Sequence, residues 1–365
     1  MNKNTLIVFT AITLTLIITA AVVVNKDSSP TFLTKEPLLP ALQQNINDAG
    51  SISLLSSRHK TLLERDGESW RIANSDDYPA QFDQVRELLI NLSDLKTLER
   101  KTRNPELYHR LDVQDPEQPD SRSVRVMVSD SEGNTLADLI VGKARISRVT
   151  NIQTGLYVRR PDDEHALLVE GNVPVSAEKT AWFNPDILNI TADQIQRVEI
   201  VHADDSRVDI ERESPTATFV ITNLPTDREV QSSLALNRFA TALQETQARD
   251  VRARTSFDTD TRIAQTTIST FDGMIIKVST FQLDDRYFAR FEFDYDAALA
   301  SKNDNNNDDG ADLLAADSAA TIKMPVSEEA RDLHNRLSDW VYQIPEFQFK
   351  VLTETMDSLT RPANR

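Results

Sequence analysis

Five histidines, His59, His109, His165, His202 and His334, are the side chains best suited to proton transfer or metal ligation near neutral pH. Their spacing favours neither. No pair forms the H-E-x-x-H arrangement that sets two imidazoles on one helical face, and no G-x-S-x-G nucleophile elbow is present. The chain has no cysteine, which removes thiolate ligands, disulfides and a thiol nucleophile together. Only 8 glycines occur and none form G-x-G, so neither a P-loop nor a dinucleotide fingerprint can cradle phosphates. Any energy for work would come from a partner. Active sites can assemble from distant residues, but the sequence names no catalytic, cofactor-binding or metal residue, and the expectation is a protein that is not an enzyme and carries no cofactor.

The acidic stretch Ser301 to Ala320 invites comparison with a calcium loop. With Asn305, Asn307 and Asp309 at ligand positions one, three and five, Gly310 falls correctly at six. Position twelve is then Ala316, where a bidentate glutamate is needed. The stretch is therefore read as a solvated loop. Aromatic platforms fare no better: Trp70, Trp182 and Trp340 each sit in an apolar strand or helix pattern and read as core. With 57 acidic against 40 basic residues the net charge is -17, which repels nucleic acid and anionic lipid headgroups.

The elements that would carry these residues follow a weak internal repeat. In the first segment, Ser51 to Leu55, Thr61 to Arg65 and Ser69 to Ala73 read as strands, with Asp66-Gly67 as a turn. A helix is predicted from Pro79 to Glu99, its stripe formed by Phe82, Val85, Leu88, Leu89, Leu92, Leu95 and Leu98. Strands follow at Val124 to Val128, Leu136 to Val141, Gly155 to Arg160 and Ala166 to Glu170. The second segment has strands at Val198 to His202, Arg207 to Arg212 and Thr218 to Thr222, then a helix from Ser232 or Ser233 to Arg249. Thr266 to Thr270, Ile275 to Thr280 and Tyr287 to Phe293 complete it. Trp70 aligns with Phe219, Leu92 with Leu243, Gly133 with Gly273 and Tyr157 with Tyr287. A last helix starts at Ser327 and stops near Ile344-Pro345, and the alternation of Phe347, Phe349 and Val351 predicts a closing strand.

Meanders with one long helix per segment predict an α+β fold, in which two similar segments each form an antiparallel sheet covered by a long helix. Ahead of them, Thr5 to Val24 is uncharged for about twenty residues, enough to cross the hydrocarbon layer as a helix. A cleavable secretory signal competes, but its apolar core normally spans 7 to 15 residues and this run is longer. The expected organisation is a membrane anchor over residues 1–27, a linker over 28–45, repeats over 46–190 and 191–300, the acidic insertion over 301–320 and a C-terminal helix and strand over 321–365. The slight excess of positive charge at Lys3 predicts a cytoplasmic amino terminus.

Several short motifs carry a resemblance. Trp70, Tyr78-Pro79-Ala80, Asn104-Pro105-Glu106-Leu107-Tyr108, Leu139-Ile140-Val141-Gly142, Gly155-Leu156-Tyr157-Val158-Arg159 and Trp182-Phe183 before Ile187-Leu188 occur in an order similar to that of the bacterial domain-of-unknown-function 4340 family. The resemblance covers roughly residues 60 to 300. It implies an accessory envelope protein, because members resemble auxiliary components of gliding-motility-type ABC transporters, and it brings no catalytic residues. The expectation is a single-pass protein of the bacterial inner membrane with a periplasmic soluble domain. Its partners would be an inner-membrane complex, including an ABC permease and ATPase, and no nucleic acid. The alternative is a ligand-binding module taking a glycan, lipid or peptide in a cleft between the repeats.

Overall fold

Alternating apolar and polar residues make strand the main regular structure among the described residues, and tight turns fix the pairing. The computed structural model describes residues 36–146, 153–258, 261–304 and 324–363, with the backbone alone over 301–304. Two units are formed. One comprises the described residues up to Glu68 together with Phe82–Glu178; the other comprises Ser69–Gln81 together with the chain from Lys179 onward.

In the first unit a short helix α1 (Pro40–Gln44) leads to β1 (Ala49–Leu55) and β2 (Lys60–Asp66). The chain then gives β3 (Ser69–Ile72) and β4 (Tyr78–Pro79) to the second unit. It returns with helix α2 (Phe82–Ser93), β5 (Lys96–Arg100), β6 (Val124–Asp130), β7 (Thr135–Ile146), β8 (Gln153–Arg159) and β9 (Ala166–Glu170). The strands of this unit pair in the order β2-β1-β6-β7-β8-β9-β5, all antiparallel.

The second unit continues with β10 (Asp186–Leu188), β11 (Ile195–His202), β12 (Arg207–Glu211), β13 (Val220–Ile221) and β14 (Arg228–Val230). Helix α3 (Ser233–Asn237) precedes β15 (Thr246–Gln247), β16 (Val251–Ala253), β17 (Ala264–Thr270), β18 (Met274–Leu283) and β19 (Arg286–Tyr295). Then come α4 (Ala297–Asp304), α5 (Val326–Leu337), β20 (Trp340–Gln343), α6 (Glu346–Leu352), α7 (Met356–Leu359) and β21 (Thr360–Pro362). Its main sheet contains the order β12-β11-β17-β18-β19-β20-β16.

The two seven-strand orders are the same, position by position along the chain. Register makes the equivalence residue-specific. Ile52 pairs with Leu63 and Val128 as Val198 pairs with Ile210 and Ile268, and both first strands carry an irregularity two residues earlier. Following the ladders outward, Val141 pairs with Val124 and Val158, as Thr280 pairs with Ala264 and Ala289. Tyr157 therefore corresponds to Phe288, one residue along from Tyr287, and Gly142 corresponds to Phe281. A repeated arginine marks the other end of the sheet. Arg65 Nη1 donates to the Asn47 carbonyl at 2.6 Å, and Arg212, at the equivalent position, donates from Nη2 to Ala192 and from Nε to Ile195. Each guanidinium pins the chain that enters the first strand.

The α+β expectation is corrected to a mostly β fold with short helices. The first predicted helix runs only over Phe82–Ser93, because Ser93 Oγ turns back to the Ile90 carbonyl at 2.8 Å and the following residues join β9 as strand β5. Leu98, at helical spacing, belongs to that strand. The second predicted helix is five residues long and continues as a 3-10 turn over Arg238–Thr241, ended by Glu245 in a left-handed conformation (φ 47°). Leu236, Phe239 and Leu243 are buried all the same. The last predicted helix stops at Leu337, and the Trp-Val-Tyr run that follows pairs with β19 and β16 instead. Helices α5 and α6, twelve and seven residues long, are what pack on β18 and β19.

Among the described residues no helix is long and apolar enough to cross a membrane. The single-pass inner-membrane placement, with a periplasmic domain, is corrected on that finding; the expected span Thr5 to Val24 itself lies outside the described residues.

The predicted closing strand over Phe347 to Val351 is helix α6. Pro345, with φ near -60°, starts it, and Gln348, Phe349, Val351 and Leu352 turn inward while Phe347 stays 64% exposed. A strand would put Phe347, Phe349 and Val351 on one face. The helix predicts that Phe347→Ser changes stability by no more than about 0.5 kcal/mol, whereas Phe349→Ala, which loses its contact with the Tyr287 ring (4.6 Å), costs about 3 kcal/mol. Urea denaturation of the two variants measures this, and equal losses would contradict the helix.

Candidate functional site

The segments carrying the family resemblance gather in two places. Trp70, Tyr78-Pro79-Ala80 and Trp182-Phe183 meet in the second unit, where Ala80 N–H donates to the Trp70 carbonyl and Gln81 N–H to that of Trp182. The Tyr78 ring lies edge-on to Phe183 (5.4 Å) and Trp340 (4.7 Å). Trp70, Trp182 and Phe183 are buried, so this group is core. Burial drives the Tyr342 hydroxyl beside it far above the ordinary tyrosine range.

The other segments meet in the first unit and build a polar site. Asn104 caps a 3-10 turn over Pro105–Arg110, its Oδ1 accepting from Glu106 N–H at 3.1 Å. The turn sets Tyr108 down on the sheet with Val113, Ile140 and Ala166. The Tyr108 hydroxyl donates to the Glu164 carbonyl, and burial raises its pKa against the lowering effect of Arg159. Arg159, at the end of β8, is 4% exposed. Its guanidinium lies 4.9 Å from the Tyr108 ring centre, with Nε donating to the Val113 carbonyl at 3.0 Å and Nη2 to Asp115 Oδ1 at 2.5 Å. Gly142 permits this arrangement. A Cβ there would meet the carbonyl oxygens of Leu111 and Asp112, the latter at 2.7 Å.

Over these groups opens a pocket of about 250 Å³, bounded by Tyr108, Asp115, Arg159, Asp162, Asp163 and Glu164, with Pro105 and Pro161 at its rim. Asp163 is fixed by the backbone N–H of His165 (2.9 Å) and by its ring Nδ1 (3.1 Å). The backbone donor first, then the ring, hold its carboxyl below the ordinary aspartate value. A lowered native pKa contributes stability above the unfolded-state pKa of about 3.9, and that contribution is lost as pH falls through the native value. Asp163→Asn is therefore expected to flatten the pH dependence of stability below about pH 4.5; a variant whose acid limb matches the parent would sink this assignment.

The histidines remain apart. His59 faces Glu178 at 3.7 Å, His202 Nε2 lies 3.1 Å from the Glu354 carbonyl, and His334 Nδ1 meets the backbone of Phe293. Among the described residues no three His, Asp or Glu side chains are placed to hold a metal ion. The calcium-like stretch from Asn305 to Ala316 lies outside the described residues. Nothing in the spacing of Asp115, Asp162 and Glu164 pointed to Arg159. The only signal was that Tyr108 and Arg159 each closed a resemblance motif.

The family model described as Domain of unknown function (DUF4340) matches residues 70–266, more than half of the chain, and the chain belongs to this family. No curated protein and no solved structure matches it.

Proposed function

We propose that the chain works by binding protein partners, as a non-enzymatic accessory of an ABC-type transport or envelope-assembly complex. The observation that carries the reading is the loop between β5 and β6, which folds back over the sheet and presents a polar pocket at the surface. The pocket's buried cation, Arg159, is spent on Asp115 and on backbone carbonyls, and Asp163 is spent on His165. The family resemblance supplies the ABC-type context. Crosslinking at native expression, followed by extraction and mass spectrometry of what accompanies the full chain, tests it. Enrichment of an ABC permease and ATPase is expected; recovery of the chain alone would remove the proposal.

A second reading, a module that binds a small ligand, is favoured by one other opening. Asp186 to Ile190, Glu245, Gln247 and Leu333 of the second unit surround about 500 Å³ beside helix α5. Its apolar residues are themselves buried, which leaves a polar rim and a small apolar contact. Saturable binding of a glycan or lipid by the purified chain, with no protein captured, would move the balance to this reading.

A further inference from the structure

The second repeat carries an insertion at a place the first repeat leaves short. By the register given above, β8 and β9 correspond to β19 and β20. The first repeat joins its pair through residues 160–165, with no helix among them, whereas the second places helices α4 and α5 between them. Helix α5 packs on β18 and β19 and buries Ala330, Leu333 and Leu337. Its Glu329, Leu333 and Arg336 face the segment of β10, and the opening of about 500 Å³ lies between them. The insertion thus supplies one wall of a groove, and loops or insertions on a rigid sheet are where binding residues collect.

We infer that this groove is a binding site for a neutral glycan. Its polar lining mixes acceptors and donors: the carboxylates of Asp186, Glu245 and Glu329, the amides of Asn189 and Gln247, and the Arg336 guanidinium. Internal bonds use only part of this capacity. Gln247 Nε2 donates to Asp186 Oδ1 at 2.7 Å, Asn189 Oδ1 accepts from Glu245 N–H at 3.0 Å, and Arg336 Nη2 donates to the Ile187 carbonyl at 3.3 Å. Among the described residues, the Glu245 and Glu329 carboxylates and the Asn189 Nδ2 group have no partner. A sugar hydroxyl donates and accepts at once, and neighbouring hydroxyls match the paired oxygens of a carboxylate or the fork of a guanidinium. Other ligand classes fit less well. An anion would face three carboxylates on a chain of net charge -17. A cation would have the Arg336 guanidinium among its neighbours. A lipid chain or an apolar peptide side chain needs apolar surface, and Ile187, Leu188, Ile190 and Leu333 are all buried.

This inference rests on the small-ligand reading and is independent of the protein-binding one. The full chain is probed on an array of neutral and anionic oligosaccharides, and separately with vesicles of phosphatidylethanolamine and phosphatidylglycerol. Three forms are compared: the parent, Glu329→Ala/Arg336→Ala in the groove, and Glu328→Ala/Arg331→Ala, which changes the same helix outside it. Saturable binding of neutral oligosaccharides is expected, about tenfold weaker in the groove variant and unchanged in the other. Alanine is a good helix former at all four positions, and the urea midpoint checks the fold. Should the groove variant unfold, Glu329→Ala alone, which breaks no described bond, supplies the comparison. Equal binding by all forms, or an equal fall in both variants, overturns the site. Binding of anionic oligosaccharides or vesicles alone overturns the ligand class while the small-ligand reading stands, and no binding of any probe removes both.

Discussion

Phe288→Ala is expected to cost about 3 to 5 kcal/mol. The ring is fully buried, and it touches Phe257, Phe281 and Val341. The guanidinium carbons of Arg252 and Arg286 sit 5.8 and 5.9 Å from its centre. Alanine would leave a hole between a sheet and a loop whose remaining contacts are these same rings, so collapse can recover little of the lost packing. The readout is direct, because the chain's 3 tryptophans, Trp70, Trp182 and Trp340, all belong to this unit. The urea midpoint of tryptophan fluorescence should fall with the slope unchanged. A loss below about 1 kcal/mol would mean that the Phe257 loop does not seal the sheet in solution.

The strands were legible because their signal is local. Alternation, the Asp66-Gly67 and Asp272-Gly273 turns and the β-branched runs placed β1, β2, β6, β7, β17, β18 and β19 within a few residues. Helices were less legible because an apolar spacing of three and four is satisfied by several local structures. Leu95 and Leu98 extended the stripe of α2 on paper, yet that stretch pairs with β9, where its backbone groups gain a ladder. Phe347, Phe349 and Val351 alternate as a strand would, and Pro345 turns them into a helix whose inward positions are Gln348, Phe349, Val351 and Leu352. The site was least legible. Arg159 and Asp115 are 44 residues apart, and their meeting depends on a loop folding back over the sheet, a long-range event that no local pattern encodes. Gly142 held the clue. A glycine inside an otherwise apolar strand marks a close approach of other backbone, and here that backbone is the turn at Leu111 to Val113.

Gly142→Val is expected to cost the first unit about 3 kcal/mol and to displace the loop that carries Tyr108. The added methyls would enter space held by the Leu111 and Asp112 carbonyls and by Val113 Cγ1 at 2.8 Å, and backbone cannot step aside as a flexible side chain would. The turn would have to lift. That would release the bond from Lys143 N–H to the Leu111 carbonyl (3.1 Å) and the one from Arg159 Nε to the Val113 carbonyl. Arg159 would then keep Asp115 as its main partner, and that carboxylate is 55% exposed, so a buried cation would be left under-paired. Because the tryptophans lie in the other unit, their fluorescence transition should stay put. Hydrogen exchange should quicken over residues 105–115 and 139–143, where the parent is held by this contact. Unchanged exchange in both stretches would show that the loop does not rest on Gly142.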